Sequence, residues 1–252
     1  MLEKSHKNQI LNHLSSLKLK NGENIVLHSN ISTFGIASKE LPHYILKSII
    51  NIIGKKGTLI MPMYNLNLSK KIVYKNDKLY NIRAISSLYK TFFKTKKKII
   101  SKSYIHRHFG IGKRALILKK TNPEISLGKG SDFEKFYNNN FTLLLLGCKP
   151  SEGATYLHHL ESLKKVPYRK KVILKRKIFF KKKRIIDIKY FARKNFEFIE
   201  NFDSVFNKKI IKDKTLRCKN KYAFSYKIKF RDLHKAGIKL LDKDIYAFVK
   251  KR

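Results

Sequence analysis

Apolar positions fall at helical spacing near the start of the chain. Ile10, Leu11, Leu14 and Leu17 mark a helix over residues 4–20, which Asn21-Gly22 ends. Asn24 to His28 is a short apolar run that reads as a buried strand, opening into the loop Ser29-Asn30-Ile31-Ser32-Thr33-Phe34-Gly35. A second helix covers about residues 40–53, with Pro42 near its start and Gly54 after its end. Gly57 to Met63 is a second buried strand, with Pro62 at its outer end. Residues 65–105 are polar and weakly patterned; within them Ser86 to Phe93 has helical spacing and Thr95 to Lys98 is a charged loop. A short helix is expected over Lys113 to Lys119. Gly128-Lys129-Gly130-Ser131 then turns into a helix over residues 132–138, with Ser131 or Asp132 as its N-cap. Phe141 to Leu146 is the third buried strand, and Thr155 to Leu163 forms a further helix.

After Pro167 the pattern changes. Lys171 to Phe180 and Lys183 to Phe191 alternate imperfectly with basic residues, as a strand pair with one exposed face does. Asp232 to Val249 reads as a helix and a terminal packing element. Buried strands alternating with helices predict an α/β layered sheet, with antiparallel additions in the second half. No internal repeat is visible. At 252 residues the chain can bury a real core, as one large domain or as two.

A hydrophobic content of 42% excludes a disordered chain. No segment approaches the roughly 20 apolar residues needed to span a bilayer. The first residues lack an apolar stretch followed by small residues, so no signal peptide is read there. Cys148 and Cys218 cannot make a disulfide framework and suit a reducing compartment. These features predict a soluble, cytoplasmic protein without membrane association. Cys148, just after a buried strand, reads as a packed thiol.

The net charge of +41 raises the question of an anionic partner. Only ten of the 58 basic residues are arginine, the better reader of phosphates and bases. A Lys-dominated excess accompanied by Asn and Ile is also what codon bias in an AT-rich genome produces. No helix-turn-helix, zinc-finger or RNA-recognition pattern is present, so no specific nucleic acid is expected. The basic stretch from Lys170 to Arg193 still supports a rival reading: a nucleic-acid or anionic-surface binding protein on a degenerate enzyme scaffold.

Candidate chemistry centres on one helix. His158 and Glu161, three apart, project from the same face. A carboxylate beside an imidazole fixes its tautomer and raises its basicity. Acyl transfer to an amine needs such a base, because an amine near neutral pH must lose a proton before it attacks a thioester. Thr155 caps the helix or donates to the thioester oxygen. Taken alone, a helical His-x-x-Glu pair occurs by chance on many surface helices. His159 points to another face and carries no such pairing.

Other motifs are weaker. Arg107-His108-Phe109-Gly110-Ile111-Gly112 matches the R-x-x-G-x-G pyrophosphate loop of GCN5-like acetyltransferases, without the apolar strand expected before it. His106-x-His108 and His158-His159 have no Cys or carboxylate cluster at ligand spacing, so no metal is expected. Ser29 lacks a G-x-S-x-G elbow.

The order of several blocks adds to the helical pair. Ile25-Val26-Leu27-His28-Ser29 is followed by Gly57-Thr58-Leu59-Ile60-Met61-Pro62 and Gly112-Lys113-Arg114-Ala115. Leu127-Gly128-Lys129-Gly130-Ser131, Leu143-Leu144-Leu145-Leu146-Gly147, Thr155-x-x-His158-x-x-Glu161 and Val166-Pro167-Tyr168-Arg169 come next. In this order the chain resembles the aminoglycoside 3-N-acetyltransferase family from about residue 10 to 205. The resemblance implies one domain over residues 1–252: a three-layer α/β/α sandwich with a mixed, partly parallel central sheet. It implies acetyl-CoA or another acyl-CoA as donor, no metal, and transfer to the amino group of a sugar. It makes His158 the base, Glu161 its supporting carboxylate and Asp203 a further acidic residue near the site. Ser29, Asn30 and Thr155 are implied to contact CoA. The family often carries a His-Pro and a Ser before the middle glycine, where this chain reads Ser103 to Gly110, so no donor contact is assigned there.

With only 17 acidic residues, the chain is poorly suited to a polycationic drug, whereas an anionic, nucleotide-linked amino sugar would be attracted. The expected acceptor is such an amino sugar ahead of an antibiotic.

Overall fold

The computed structural model describes residues 1–69, 87–95, 97–179, 183–195 and 197–252. Helix α1 (Lys4–Ser16) leads into β1 (Asn24–Ser29), α2 (Leu41–Ile53) and β2 (Thr58–Pro62). Then come α3 (Ser87–Phe93), β3 (Ile99–Ile100), β4 (His108–Ile111), α4 (Asp132–Asn138) and β5 (Thr142–Leu146). The chain continues through α5 (Pro150–Gly153), α6 (Tyr156–Lys164), β6 (Arg169–Phe179), β7 (Lys183–Arg193) and β8 (Phe198–Glu200). It closes with α7 (Phe202–Asn207), α8 (Lys209–Lys212), β9 (Leu216–Lys219), β10 (Phe224–Lys229), α9 (Phe230–Lys243) and β11 (Val249–Lys251).

Seven strands form one sheet in the order β3-β4-β2-β1-β5-β10-β9. The central trio β2-β1-β5 is parallel, and β4 and β10 join it antiparallel on either side. Side chains alternate between the two faces, and each face has its own core. Ile25, Leu27, Leu59, Met61, Leu144 and Leu146 pack with Ile10, Leu14, Ile45, Ile49 and Phe92 from α1, α2 and α3. Val26, Ile60, Leu143 and Leu145 pack with Phe133, Phe136, Leu157, Leu160 and Leu233 from α4, α6 and α9. These layers are the mixed α/β/α arrangement expected from the sequence.

Local chemistry sets the boundaries. Ile10, Leu14 and Leu17 are fully buried, each worth roughly 1.5–3 kcal/mol, while Leu11 stays 42% exposed. The first helix ends at Ser16 rather than residue 20, because Leu17 caps it and Lys18 turns left-handed with φ 48°. Ser131 stands at the N-cap of α4, yet its hydroxyl donates to Gly128 O at 2.6 Å and does not cap the helix.

The sequence pattern misses β3, β4, α5, the α7–α8–β9–β10 segment and the β8–β11 pair. Residues 108–111 form a strand against β2, so the R-x-x-G-x-G match is not a pyrophosphate loop opening a helix. The Lys113–Lys120 helix is 3-10 rather than α. Ser86, Lys96 and Phe180, named in the expected elements, lie outside the described residues.

Strands β6 and β7 form a separate two-stranded hairpin. Leu174, Ile186, Ile188 and Tyr190 pack around Leu68 and Ile105. The opposite face carries Lys171, Ile173 and Lys175, paired across the ladder with Phe191, Lys189 and Asp187. Ile173 there is 63% exposed, as a hairpin with one solvated face requires. Among the described residues, no helix is long and apolar enough to cross a membrane.

Candidate active site

The sheet fixes where the site lies. From β1 the chain crosses through α2 to β2 on one side, while β5 lies on the other. A crevice opens at the carboxyl ends of parallel strands where the order reverses in this way. Ser29 and Leu146 are register partners at that end, and α5 and α6 follow directly from β5. Gly153 of α5 packs against β1 and β5, since a Cβ there would come 2.9 Å from His28 Cβ and 2.8 Å from Leu145. This close approach brings α6 to the crevice.

On α6, His158 Nδ1 lies 2.6 Å from Glu161 Oε2, and the Glu161 side chain is fully buried. Tyr168 donates its hydroxyl to Glu161 Oε1 at 2.9 Å. Burial and the neighbouring Glu161 push the Tyr168 phenol up, so it keeps its proton and remains a donor. Arg169 Nε sits 2.8 Å from Glu161 Oε2, as an ionic contact rather than an aligned hydrogen bond. Arg169 Nη2 donates to Glu200 Oε1 at 2.9 Å, and Arg193 closes on the same oxygen. Burial works to raise Glu200, but the hydrogen bond from Arg193, aided by a backbone bond and by the positive charge of Arg193, outweighs it. The Glu200 carboxyl therefore lies below its ordinary range.

Arg169 Nη2 also lies 3.0 Å from His158 Nδ1, so a carboxylate and a guanidinium compete for that nitrogen. The shorter contact, to an acceptor-only carboxylate, assigns the proton to Nδ1. The lone pair of the imidazole is then on Nε2. Phe202 packs against the ring with centroids 4.9 Å apart, and the His158 side chain keeps 20% exposure. This is a held, partly open imidazole with a free basic nitrogen.

A second polar network lies beneath it. Thr155 stands at the start of α6 without capping it, and its side chain lies beside the Tyr64 hydroxyl. Tyr64 Oη is also 3.4 Å from His108 Nε2, and His108 Nδ1 lies 2.7 Å from Asp132 Oδ2. Asp132 Oδ1 accepts from Ser101 at 2.7 Å and from Thr121 at 2.5 Å. His106 Nδ1 is 2.6 Å from Ser126 Oγ, and His159 Nδ1 accepts from Gly128 N–H at 3.1 Å. Each of these histidines has a partner of its own in the core. No group of three or more His, Cys, Asp or Glu is gathered for a metal among the described residues. Burial, helped by Glu152, pushes the Cys148 thiol up, so it packs as a neutral thiol.

The remaining expected residues are placed unevenly. Ser29 and Asn30 lie at the crevice, but their N–H groups are taken: Ser29 by Tyr89 Oη at 3.2 Å, Asn30 by Leu146 O at 2.9 Å. These two amides are not the free anion ligands expected of the loop. Asp203 accepts from Ser151 N–H and Oγ, both at 2.9 Å, which ties α7 to α5. No hydrogen bond or ion pair joins it to His158 or Glu161 among the described residues. Glu200 is the second carboxylate of the cluster.

The family model for aminoglycoside 3-N-acetyltransferase matches residues 26–242. The chain belongs to this family. It is accordingly an N-acetyltransferase. Solved structures share its fold. YokD from Bacillus subtilis is 18% identical, with a TM-score of 0.73 over 94% of this chain and 99% of that one. The binary complex of AAC-IIIb with CoASH is 16% identical, with a TM-score of 0.77 over 94% and 96%. AAC-VIa bound to sisomicin is 15% identical, with a TM-score of 0.74 over 94% and 97%. No curated protein matches the chain by sequence.

In this acetyltransferase, sequence reasoning paired His158 with Glu161 but gave no part to Tyr168, Arg169, Glu200 or Arg193. A signal was available. In a chain whose basic residues are overwhelmingly lysine, an arginine at 169 and another at 193 mark places where a planar fork is required.

Proposed function

We propose that this acetyltransferase moves an acetyl or other acyl group from acyl-CoA to the amino group of an anionic, nucleotide-linked amino sugar, with His158 as general base. The observation that carries the base assignment is the 2.6 Å contact of Nδ1 with a buried carboxylate held from its far side by Tyr168. The acceptor amine arrives protonated and loses one proton to solvent. Its nitrogen attacks the thioester carbonyl while His158 Nε2 removes a second proton in flight, leaving one N–H on the amide. The C–N bond forms, the C–S bond breaks, and the imidazolium returns its proton to the departing thiolate. Glu161 stabilises the imidazolium during transfer. Thr155, beside Tyr64, is proposed to face the thioester oxygen, and the Ser29–Asn30 crevice to line the pantetheine arm. A CoA donor, the ligand found with AAC-IIIb, supports a reaction in the cytoplasm.

The acceptor follows from charge. The two carboxylates in the His158 cluster, Glu161 and Glu200, are each matched by an arginine, Arg169 and Arg193. Two negative and two positive groups leave no surplus to attract a polycation such as the sisomicin held by AAC-VIa.

The test is thiol release from acetyl-CoA over a panel of nucleotide-linked amino sugars and aminoglycosides, on the wild type and on His158→Ala. The variant is expected to lose a factor of about 10²–10⁴ on the best acceptor. Full activity in His158→Ala would remove the base assignment, and efficient turnover of gentamicin-type drugs would reverse the acceptor order.

A further inference from the structure

A cavity of about 660 Å³ lies between the end of α6, the 125–129 segment and the base of the β6–β7 hairpin. Its walls include Leu127, Val172, Tyr190 and Phe191, and its rim carries Lys129, Lys165, Lys171 and Lys189. No aspartate or glutamate lines it. None of the four lysines enters an ion pair among the described residues, whereas Lys135, Lys164 and Lys227 all do. Of the carboxylates following Lys129 in the chain, Asp132 is taken by His108, Ser101 and Thr121, and Glu134 by Gly130 N–H at 2.8 Å and Lys135 at 3.8 Å. Four uncompensated cations around an apolar floor favour an anion that also carries a flat apolar body.

Two elements lead from the base into this cavity. On α6, His158 and Ser162 stand at i and i+4, which places them along one helix face, and Lys165 follows the end of that helix at a left-handed residue. On β6, Lys171 shares the strand face of Arg169, which touches His158 and Glu161. Two residues of strand rise about 7 Å, so Lys171 lies about that far from Arg169 along the strand. The Ile173–Lys189 pair lies about 14 Å along the same face. A substrate with its amino group at His158 would therefore extend its other end over the lysines.

We propose that this cavity binds the nucleoside-diphosphate end of the acceptor, with the lysines on the phosphates and Phe191, which shares the strand face of Lys171 and Lys189, against the base. The inference rests on the reading of His158 as the base for a nucleotide-linked amino sugar. Bases present a π-face to aromatic walls whatever their identity, and ammonium groups act as point charges on phosphate. CoA carries the same chemistry in its own nucleotide, so the test must separate the two sources.

Calorimetric titration of the full chain with uridine diphosphate, adenosine diphosphate and CoA makes that separation. The charge-reversed double variant Lys171→Glu/Lys189→Glu alters two exposed side chains and spares the core. It is expected to weaken at least one of the nucleoside diphosphates by about tenfold or more, with CoA affinity held within about twofold. Added salt should weaken the wild-type nucleotide affinity. His158→Ala should leave nucleoside-diphosphate binding unchanged. Equal nucleotide affinity in wild type and double variant would overturn the proposal, as would failure of the wild type to bind either nucleotide at millimolar concentration. Weakened CoA binding would assign the cavity to the donor and overturn it also. If the lysines prove to hold the nucleotide while no amino sugar is acylated, the acceptor reading alone fails. If His158-dependent turnover of a nucleotide sugar survives the double variant untouched, the cavity alone fails.

Discussion

Tyr168 donates to Glu161 Oε1 at 2.9 Å while His158 Nδ1 meets the other oxygen, Oε2, at 2.6 Å. The carboxylate is thus gripped from both ends, and its orientation toward the imidazole depends on the buried Tyr168. Tyr168→Phe leaves a fully buried carboxylate oxygen without its hydroxyl donor. Hydrogen bonds to charged groups are worth about 1.5–3 kcal/mol. We expect kcat to fall about tenfold or more, with KM for acetyl-CoA little changed, in steady-state thiol-release kinetics. A wild-type kcat would show that Arg169 alone orients Glu161.

Arg169 spans two carboxylates, touching Glu161 through Nε and Glu200 through Nη2. Lysine keeps the charge but offers a single point of contact in place of the fork. Arg169→Lys should therefore lose one of the two carboxylates and cost about 1–3 kcal/mol in urea unfolding. Glu200→Gln, at a half-buried position, should cost less. Equal unfolding free energies for wild type and Arg169→Lys would show that the bridge carries no stability.

Three core histidines give the protein an acid limit. Burial holds His28, His106 and His159 down at about 3, with His108 adding to the effect at His28, His158 and His108 at His106, and His234 at His159. Folded, these rings stay neutral; unfolded, they take up protons below an ordinary value of about 6.5. Stability is therefore full above pH about 6.5 and declines as pH falls toward 3, by roughly 1.4 kcal/mol per pH unit for each ring. Urea titrations between about pH 7 and pH 4 should show this slope, and His159→Gln should reduce these rings' contribution by about one third. An unaltered slope in the variant would mean that His159 is not neutral in the folded protein.

The central strands were legible because burial on both faces leaves little room for polar residues, so β1, β2 and β5 appear as apolar runs. Strand β4 was hidden for the converse reason. Its first residue, His108, is fully buried yet polar, satisfied by Asp132 from α4, and a hydrophobic pattern cannot register such a partnership. His158 and Glu161 were legible because their contact is local to one helix turn. Glu200 was not, because it arrives on a three-residue strand positioned by β11 from the chain's end. Asp203 was sought through the resemblance and sits one residue beyond Phe202, the ring against His158; its carboxylate turns instead to Ser151.

Gly147 tests whether the crevice geometry itself matters. It follows β5 with φ +63°, a conformation that L side chains rarely adopt. An added Cβ would lie 2.7 Å from Asn30 O and would overlap Thr33 Oγ1, which itself donates to Asn30 O at 2.7 Å. Gly147→Ala must therefore push the Ser29–Asn30 loop away from the end of β5 as well as strain its own backbone. We expect a loss of about 1–3 kcal/mol and a raised KM for acetyl-CoA, while kcat at saturating donor changes little. Adding Thr33→Ala removes the hydroxyl overlap but not the approach to the Asn30 carbonyl, so it should restore only part of the loss. Recovery of the full wild-type melting temperature and KM in the double variant would place the whole effect on Thr33 and leave the Asn30 backbone free to adjust.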